Sequence, residues 1–150
     1  MTFSNTDRGK KFIGVSAVAL VHDGQGKLLL QKRGKNARDE RGNWDLCGGA
    51  VDFGETIIRT IERELLEELC TAPIRMNFLT VYDAFREIDA QPTHWIAVVY
   101  AVAVDPKTVS IGEPDKIEEL GWFNDAELPS PLHSQFQKSY QVARQAGIIR

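Results

Sequence analysis

The chain reads as an α/β domain, a mixed β-sheet with helices on both faces. Three observations predict this: β-type apolar runs alternate with two helical periods, the helices are separated by strands rather than clustered, and Gly- or Pro-bearing turns punctuate the changes of period. At 150 residues, 43% of them hydrophobic, the chain matches one domain with a proper core.

In chain order, residues 1–11 are polar and predict a disordered or edge segment. The β-rich run 15–22 predicts a strand, and Asp23-Gly24-Gln25-Gly26 turns it into a second strand at 27–32. Residues 33–43, charged and flanked by glycine, predict a loop leading to a short strand at 50–53. A helix follows over 56–69, where Ile57, Ile58, Ile61, Leu65 and Leu69 fall on one face at 100° per residue. Pro73 stops any continuation. Strands are expected at 76–85, 95–104 and 120–123, and a last helix at 134–146. No internal repeat and no low-complexity tract is visible.

The chemistry concentrates in the first helix. Glu64, Glu67 and Glu68 are related by three- and four-residue steps, so their carboxylates share a face adjoining the apolar stripe, and Glu68 falls at its edge. Like charges at these spacings cost about 0.2–0.5 kcal/mol each even when exposed, and partial burial costs more. A hard divalent cation answers this cluster, because Mg²⁺ takes carboxylate, water and phosphate oxygens. Arg63 precedes Glu67 by one turn and can hold its carboxylate, while Glu55, at the positive end of the helix dipole, can reach back to Arg63. Gly48-Gly49 lets the backbone approach the helix, so the Gly48 carbonyl can join the metal's ligands.

The segment GGAVDFGETIIRTIERELLEELCT resembles the signature box of the Nudix hydrolases: Gly49, five residues, Glu55, seven residues, Arg63-Glu64, and Glu67-Glu68. The match ends there, with Cys70 where the family has glycine and Thr71 where it has an aliphatic residue. The glycine ordinarily serves as a left-handed helix stop, so Cys70 implies another cap or a strain of about 1 kcal/mol. Cys47 stands where relatives often carry proline. Residues 27–33 and 113–123 resemble other strands of the family more weakly.

The resemblance implies a single-domain α/β/α sandwich that cleaves a nucleoside diphosphate linked to another moiety, with Mg²⁺ or Mn²⁺ as cofactor. Glu67, Glu68 and the Gly48 carbonyl are the expected metal ligands, Glu64 is a third ligand or the general base, and Arg63 and Glu55 support them. A base from Glu113, Glu118 or Glu119 is the alternative. Family markers for ADP-ribose and for dinucleoside polyphosphates are absent near Arg86-Glu87-Ile88, which favours nucleoside triphosphates, ordinary or oxidised, with ADP-ribose and nucleotide sugars behind. A nucleotide-binding sensor without turnover is the reading from another class, and an isoprenoid diphosphate isomerase a weaker third. The resemblance also admits a homodimer, which no segment of the sequence demonstrates.

A net charge of −3 argues against a general nucleic-acid binder. The longest apolar run, 95–104, is half of a membrane span. Two cysteines, Cys47 and Cys70, and a polar start without a signal-peptide core fit a reducing cytoplasm. Five cations in the loop, Lys32, Arg33, Lys35, Arg38 and Arg41, can steer a polyphosphate, with Arg33 the expected phosphate contact. Trp44, Phe85, Trp95 and Trp122 are candidates for stacking on a nucleobase, although core packing is the commoner fate of such residues. Trp44, Phe85 and His133 join Arg33 as expected substrate residues. Gly24-Gln25-Gly26-Lys27 lacks the full phosphate-loop pattern and reads as a turn. Neither cysteine has a histidine partner in sequence, which disfavours a thiolate nucleophile.

Overall fold

The computed structural model describes residues 2–150. Its elements are β1 (Gly14–His22), β2 (Leu28–Arg33), β3 (Trp44–Asp45), β4 (Cys47–Ala50), α1 (Ile57–Leu69), β5 (Arg75–Ile88), β6 (Gln91–Ala103), β7 (Ile117–Phe123) and α2 (Phe136–Gln145). Seven strands form one mixed sheet in the order β3-β2-β1-β6-β5, with β4 added on β1 and β7 on β2. β1 is its axis, parallel to β6 from Gly14↔Trp95 to His22↔Ala103 and antiparallel to β4 from Ser16↔Ala50 to Ala19↔Cys47.

The two-residue period of β1 separates two cores. Ala17, Ala19 and Val21 pack with Ile61, Leu65 and Leu69 of α1, whereas Leu20 packs with Phe136 and Ala143 of α2. Helices therefore cover both faces, as the alternation of strand and helix periods predicts. β1 and β2 pair at a single position, His22↔Leu28, and diverge from there. Gln31 of β2 and the Gly48-Gly49 backbone of β4 line the opening this leaves.

Helix α1 starts where the sequence places it. The Thr56 hydroxyl accepts from the Arg59 N–H at 3.1 Å and caps the first turn. Its other end explains the departure at Cys70, which takes the left-handed conformation itself (φ 55°, ψ 29°). The neighbouring 105–113 segment satisfies the last carbonyls: Ser110 N–H donates to Leu69 at 3.0 Å and Gly112 N–H to Glu68 at 2.9 Å. A β-carbon at Gly112 would overlap the Glu67 carbonyl, so this loop can seat on the helix end only with glycine there.

Several boundaries differ from the sequence reading. The β5–β6 hairpin extends to Ile88 and Gln91 because Asp89 and Ala90 both adopt positive φ (52° and 63°), a two-residue turn made without the usual glycine. The glycine-containing strand lies at Cys47–Ala50 rather than 50–53, since the absence of side chains at Gly48 lets β4 close against the Ala17 carbonyl. β3, two residues long, carries no readable period. The N-terminal segment is neither loose nor part of the sheet edge. Its backbone accepts the His94 N–H at Gly9 (2.8 Å), Gly9 lies on the Trp95 indole, and the Arg8 guanidinium donates to the Val51 carbonyl at 3.0 Å. Among the described residues, no helix is long and apolar enough to cross a membrane.

The conformation of Cys70 predicts the sign of one substitution. Cys70→Gly should stabilise the fold by about 1 kcal/mol, raising the melting temperature by about 2–4 °C. An unchanged or lower melting temperature would show that the side chain offsets the backbone strain.

Candidate active site

The Arg63 guanidinium organises the acidic face of α1. It grips Glu55 with two parallel bonds, Nε to Oε2 at 2.8 Å and Nη2 to Oε1 at 2.9 Å. Its Nη1 donates to Glu64 at 2.9 Å and to Glu67 at 3.4 Å, and Nη2 also reaches the Ala50 carbonyl at 3.3 Å. Glu55 accepts further from the Thr60 hydroxyl at 2.7 Å. Hydrogen bonds from Arg63, then from Thr60, hold the Glu55 carboxyl down at about 2, and Glu55 in turn raises Arg63 above the usual guanidinium range.

Glu64 and Glu68 differ in kind. Glu64 is buried and Glu68 partly buried, and burial raises both carboxyls, Glu68 to about 8; contact with the neighbouring Glu64 adds to the shift of Glu68. The pair therefore holds a proton more tightly than a free carboxylate does. Gln31 Nε2 donates to Glu68 at 2.9 Å, while Gln31 Oε1 is buried with no partner. A β-carbon at Gly49 would overlap the Glu64 carboxylate, so glycine is what lets strand β4 pass this close. Glu67 is half exposed on the next turn and is held by Arg63 rather than by the pair. A buried acid pair, an unpartnered amide oxygen and a bare backbone form an all-oxygen setting that fits a hard divalent cation.

A second cluster, Asp39, Glu40 and His133, brings its potential ligand atoms within 4.8 Å of one another. Its oxygens are already engaged. Arg86 bridges Asp39 and Glu40, Arg33 donates to Asp39 at 2.8 Å, Ser134 N–H donates to Glu40 at 2.8 Å, and His133 Nε2 lies 2.8 Å from Glu40. His133 Nδ1 accepts from the Gln135 N–H at 3.2 Å, which leaves Nε2 as the donor toward Glu40. With two arginines satisfying it, this cluster is a structural clamp for the 34–43 loop, not a cation seat.

A cleft of about 380 Å³ connects the two regions, from Glu68 and Gly48 across β5 and β6 to α2. This is the size of a small-molecule site. His133 lines it and is buried. Arg33 also lines it, but Asp39 and Asp45 occupy its guanidinium, so its first role is to fix the loop. Trp44 is a correction: it is 7% exposed, edge-on to Phe123 in the α2-side core, and does not face the cleft. Phe85 is another: it is 66% exposed, packs against His94 with ring centroids 4.4 Å apart and planes tilted by 36°, and borders a shallower depression beside Arg38 and Arg41. Tyr82, Trp95 and Phe136 are the large aromatics at the cleft. Of the alternative bases, Glu113 lines it next to Lys116 at 3.6 Å, whereas Glu118 and Glu119 stand exposed on β7 outside it. Burial, then Glu68, raises the Cys47 thiol well above its usual range, which rules out thiolate attack there. Gln31, Tyr82, Gln135 and Ser139 carry no sequence signal, because only the packing of distant strands and α2 makes them neighbours.

Comparison with known proteins agrees with this geometry. The family model of the NUDIX domain matches residues 13–144. The chain belongs to the Nudix hydrolase family. It is 25% identical to the 8-oxo-dGDP phosphatase NUDT18 of Mus musculus over 85% of this chain and 37% of that protein. It is 31% identical to a Mycobacterium tuberculosis protein provisionally named 8-oxo-dGTP diphosphatase 3, over 83% of this chain and 57% of that one. Thus the Nudix chain spans about a third to just over half of these curated relatives. The crystal structure of a MutT NUDIX hydrolase from Burkholderia pseudomallei superposes with a TM-score of 0.77 and 37% identity, over 87% of this chain and 98% of that one.

The buried pair predicts a pH signature in metal-free protein. Because the folded Glu68 carboxyl sits at about 8 against an ordinary 4.5, its protonation stabilises the fold fully below pH about 4.5, and this contribution is lost as pH rises through 8. Thermal melting of wild type and Glu68→Gln in EDTA should show nearly equal stability at pH 5 and a gap favouring the variant that widens toward pH 8. Parallel pH profiles would contradict the burial of a proton-holding pair.

Proposed function

We propose that the chain is a metal-dependent hydrolase of nucleoside diphosphate derivatives, with nucleoside triphosphates, ordinary or oxidised, as its substrates. The observation that carries this reading is the Glu64–Glu68 pair, with Glu68 at the end of the cleft, where the Nudix spacing and an acidic seat only partly compensated by Arg63 coincide. The names of the mouse and mycobacterial relatives support oxidised deoxyguanosine nucleotides as the first substrates to test.

Mg²⁺, or Mn²⁺ in its place, fits Glu64, Glu67, Glu68 and the Gly48 carbonyl. Bound there, a divalent cation would supply charge neutralisation at the phosphate oxygens and acidify water. The chain's own residues perform the remaining tasks. Arg63, fixed by Glu55 and Thr60, keeps Glu64 and Glu67 oriented on the helix. Gln31 fixes one Glu68 oxygen. Lys116 and Arg38, each with a largely exposed side chain at the cleft, attract the polyphosphate. Glu64 and Glu113 are the two carboxylates placed to take a proton from attacking water.

The test is release of phosphate or pyrophosphate from a nucleotide panel with Mg²⁺ and with Mn²⁺. Glu67→Gln should keep the fold and lose activity on the order of a hundredfold or more. Glu55→Gln, which touches only Arg63, Thr60 and nearby backbone, should lose about 10–100-fold. Full activity in Glu67→Gln would refute the ligand assignment, and nucleotide binding without any product release would identify a sensor.

A further inference from the structure

The hydrolase reading draws on α1, β4 and the cleft, and gives no role to the segment ahead of residue 13, where the family match begins. That segment is nevertheless fixed in place. The Gly9 N–H donates to the Phe12 carbonyl at 2.7 Å, and the Gly9 carbonyl accepts the His94 N–H at 2.8 Å. With φ at 75° and no β-carbon, Gly9 lies flush on the Trp95 indole, where any side chain would overlap the ring. Arg8 is thereby held in a closed turn, and its side chain is only 19% exposed.

This side chain reaches residues 50–52, the link between β4 and α1. Arg8 Nη1 donates to the Val51 carbonyl at 3.0 Å and to Asp52 Oδ1 at 3.2 Å. Arg63 meets the same link from the helix, its Nη2 donating to the Ala50 carbonyl at 3.3 Å and lying 3.7 Å from Asp52 Oδ2. Two guanidinium groups therefore share one carboxylate, an oxygen to each, and take two successive carbonyls. The Asp52 N–H donates to Glu55 Oε1 at 3.3 Å and the Glu55 N–H to the Asp52 carbonyl at 2.9 Å, which ties the link to the Glu55–Arg63 pair. Asp52 is 55% exposed, so the ion pair with Arg8 contributes little stability. Its effect is geometric. Residues 50–52 follow directly on Gly48 and Gly49, and Gly49 passes against the Glu64 carboxylate with no room for a β-carbon. A shift of the link would move the Gly48 carbonyl relative to Glu64 and Glu68.

We infer that Arg8 is a positioning residue for the cation seat: it clamps residues 50–52 from the side opposite Arg63 and so fixes the Gly48 carbonyl against the acids of α1. The inference rests on the hydrolase reading, which places the cation there, and its test reads metal affinity rather than turnover.

Calorimetric titration of the metal-free protein with Mn²⁺, beside thermal melting, is the experiment. Outer partners of metal ligands are worth about 10–100-fold in affinity; Arg8 acts one contact further out, so Arg8→Met should weaken Mn²⁺ binding about three- to tenfold. Its melting temperature should stay within about 2 °C of the wild type. Arg8→Lys, which keeps the charge and a donor, should recover most of the affinity. In an Asp52→Ala background, Arg8→Met should cost clearly less than it does alone. A segment that merely stabilised the fold would lower the melting temperature of Arg8→Met and leave Mn²⁺ affinity unchanged. That result, or an equal loss with and without Asp52, overturns the inference and leaves the hydrolase reading standing. A wild type that binds no Mn²⁺ removes both.

Discussion

Two carboxyl groups buried side by side, Glu64 and Glu68, constrain this structure more than any other contact. Burial and mutual contact raise both carboxyls, with only Arg63 opposing the shift at Glu64, and much of the surrounding fold serves to keep them together. Glycine at position 49 lets β4 pass against Glu64, and the divergence of β1 from β2 leaves room for Gln31 to donate to Glu68. Arg63 holds the outer acids from the other side. Helix α1 must therefore be rigid at both ends, which the Thr56 cap and the 105–113 loop provide.

The contrast with the second acidic cluster shows why composition alone does not locate a metal site. Asp39 and Glu40 are as close to His133 as metal ligands would be, yet Arg33, Arg86 and Ser134 satisfy them. There the charge is balanced by protein and fixes a loop. At Glu68 burial is not balanced by a basic side chain among the described residues: its donors are the Gln31 amide and the Cys47 thiol, both neutral. Electrostatic deficit, rather than proximity of acids, marks the candidate catalytic end. The satisfied cluster instead orients His133 and Gln135, and so reaches the opposite end of the same cleft.

What the sequence disclosed follows the range of the interactions involved. Helix α1, its cap and the Glu55–Arg63–Glu67 geometry are local, set by steps of three, four and eight residues, and they were legible. So was the two-faced sheet, because the alternation in β1 is read over nine residues. Trp44 was misleading, and Arg33 only partly legible, for the same reason that Gln31, Tyr82 and Ser139 were silent. Whether Trp44 meets a ligand or Phe123, and whether Arg33 meets phosphate or Asp39, depends on strands and loops brought together from afar. The Asp89-Ala90 turn belongs to a third class, a local conformation adopted by residues that do not advertise it.

If the acid pair is the seat of a divalent cation, loading that seat must displace the proton that the pair holds. Calorimetric titration of the metal-free protein with Mg²⁺ or Mn²⁺ at pH 7, repeated in buffers of different ionisation enthalpy, measures this directly. The structure predicts release of about one proton per bound ion in the wild type and almost none in Glu68→Gln. Metal binding with no proton release in the wild type, or with equal release in the variant, would contradict it.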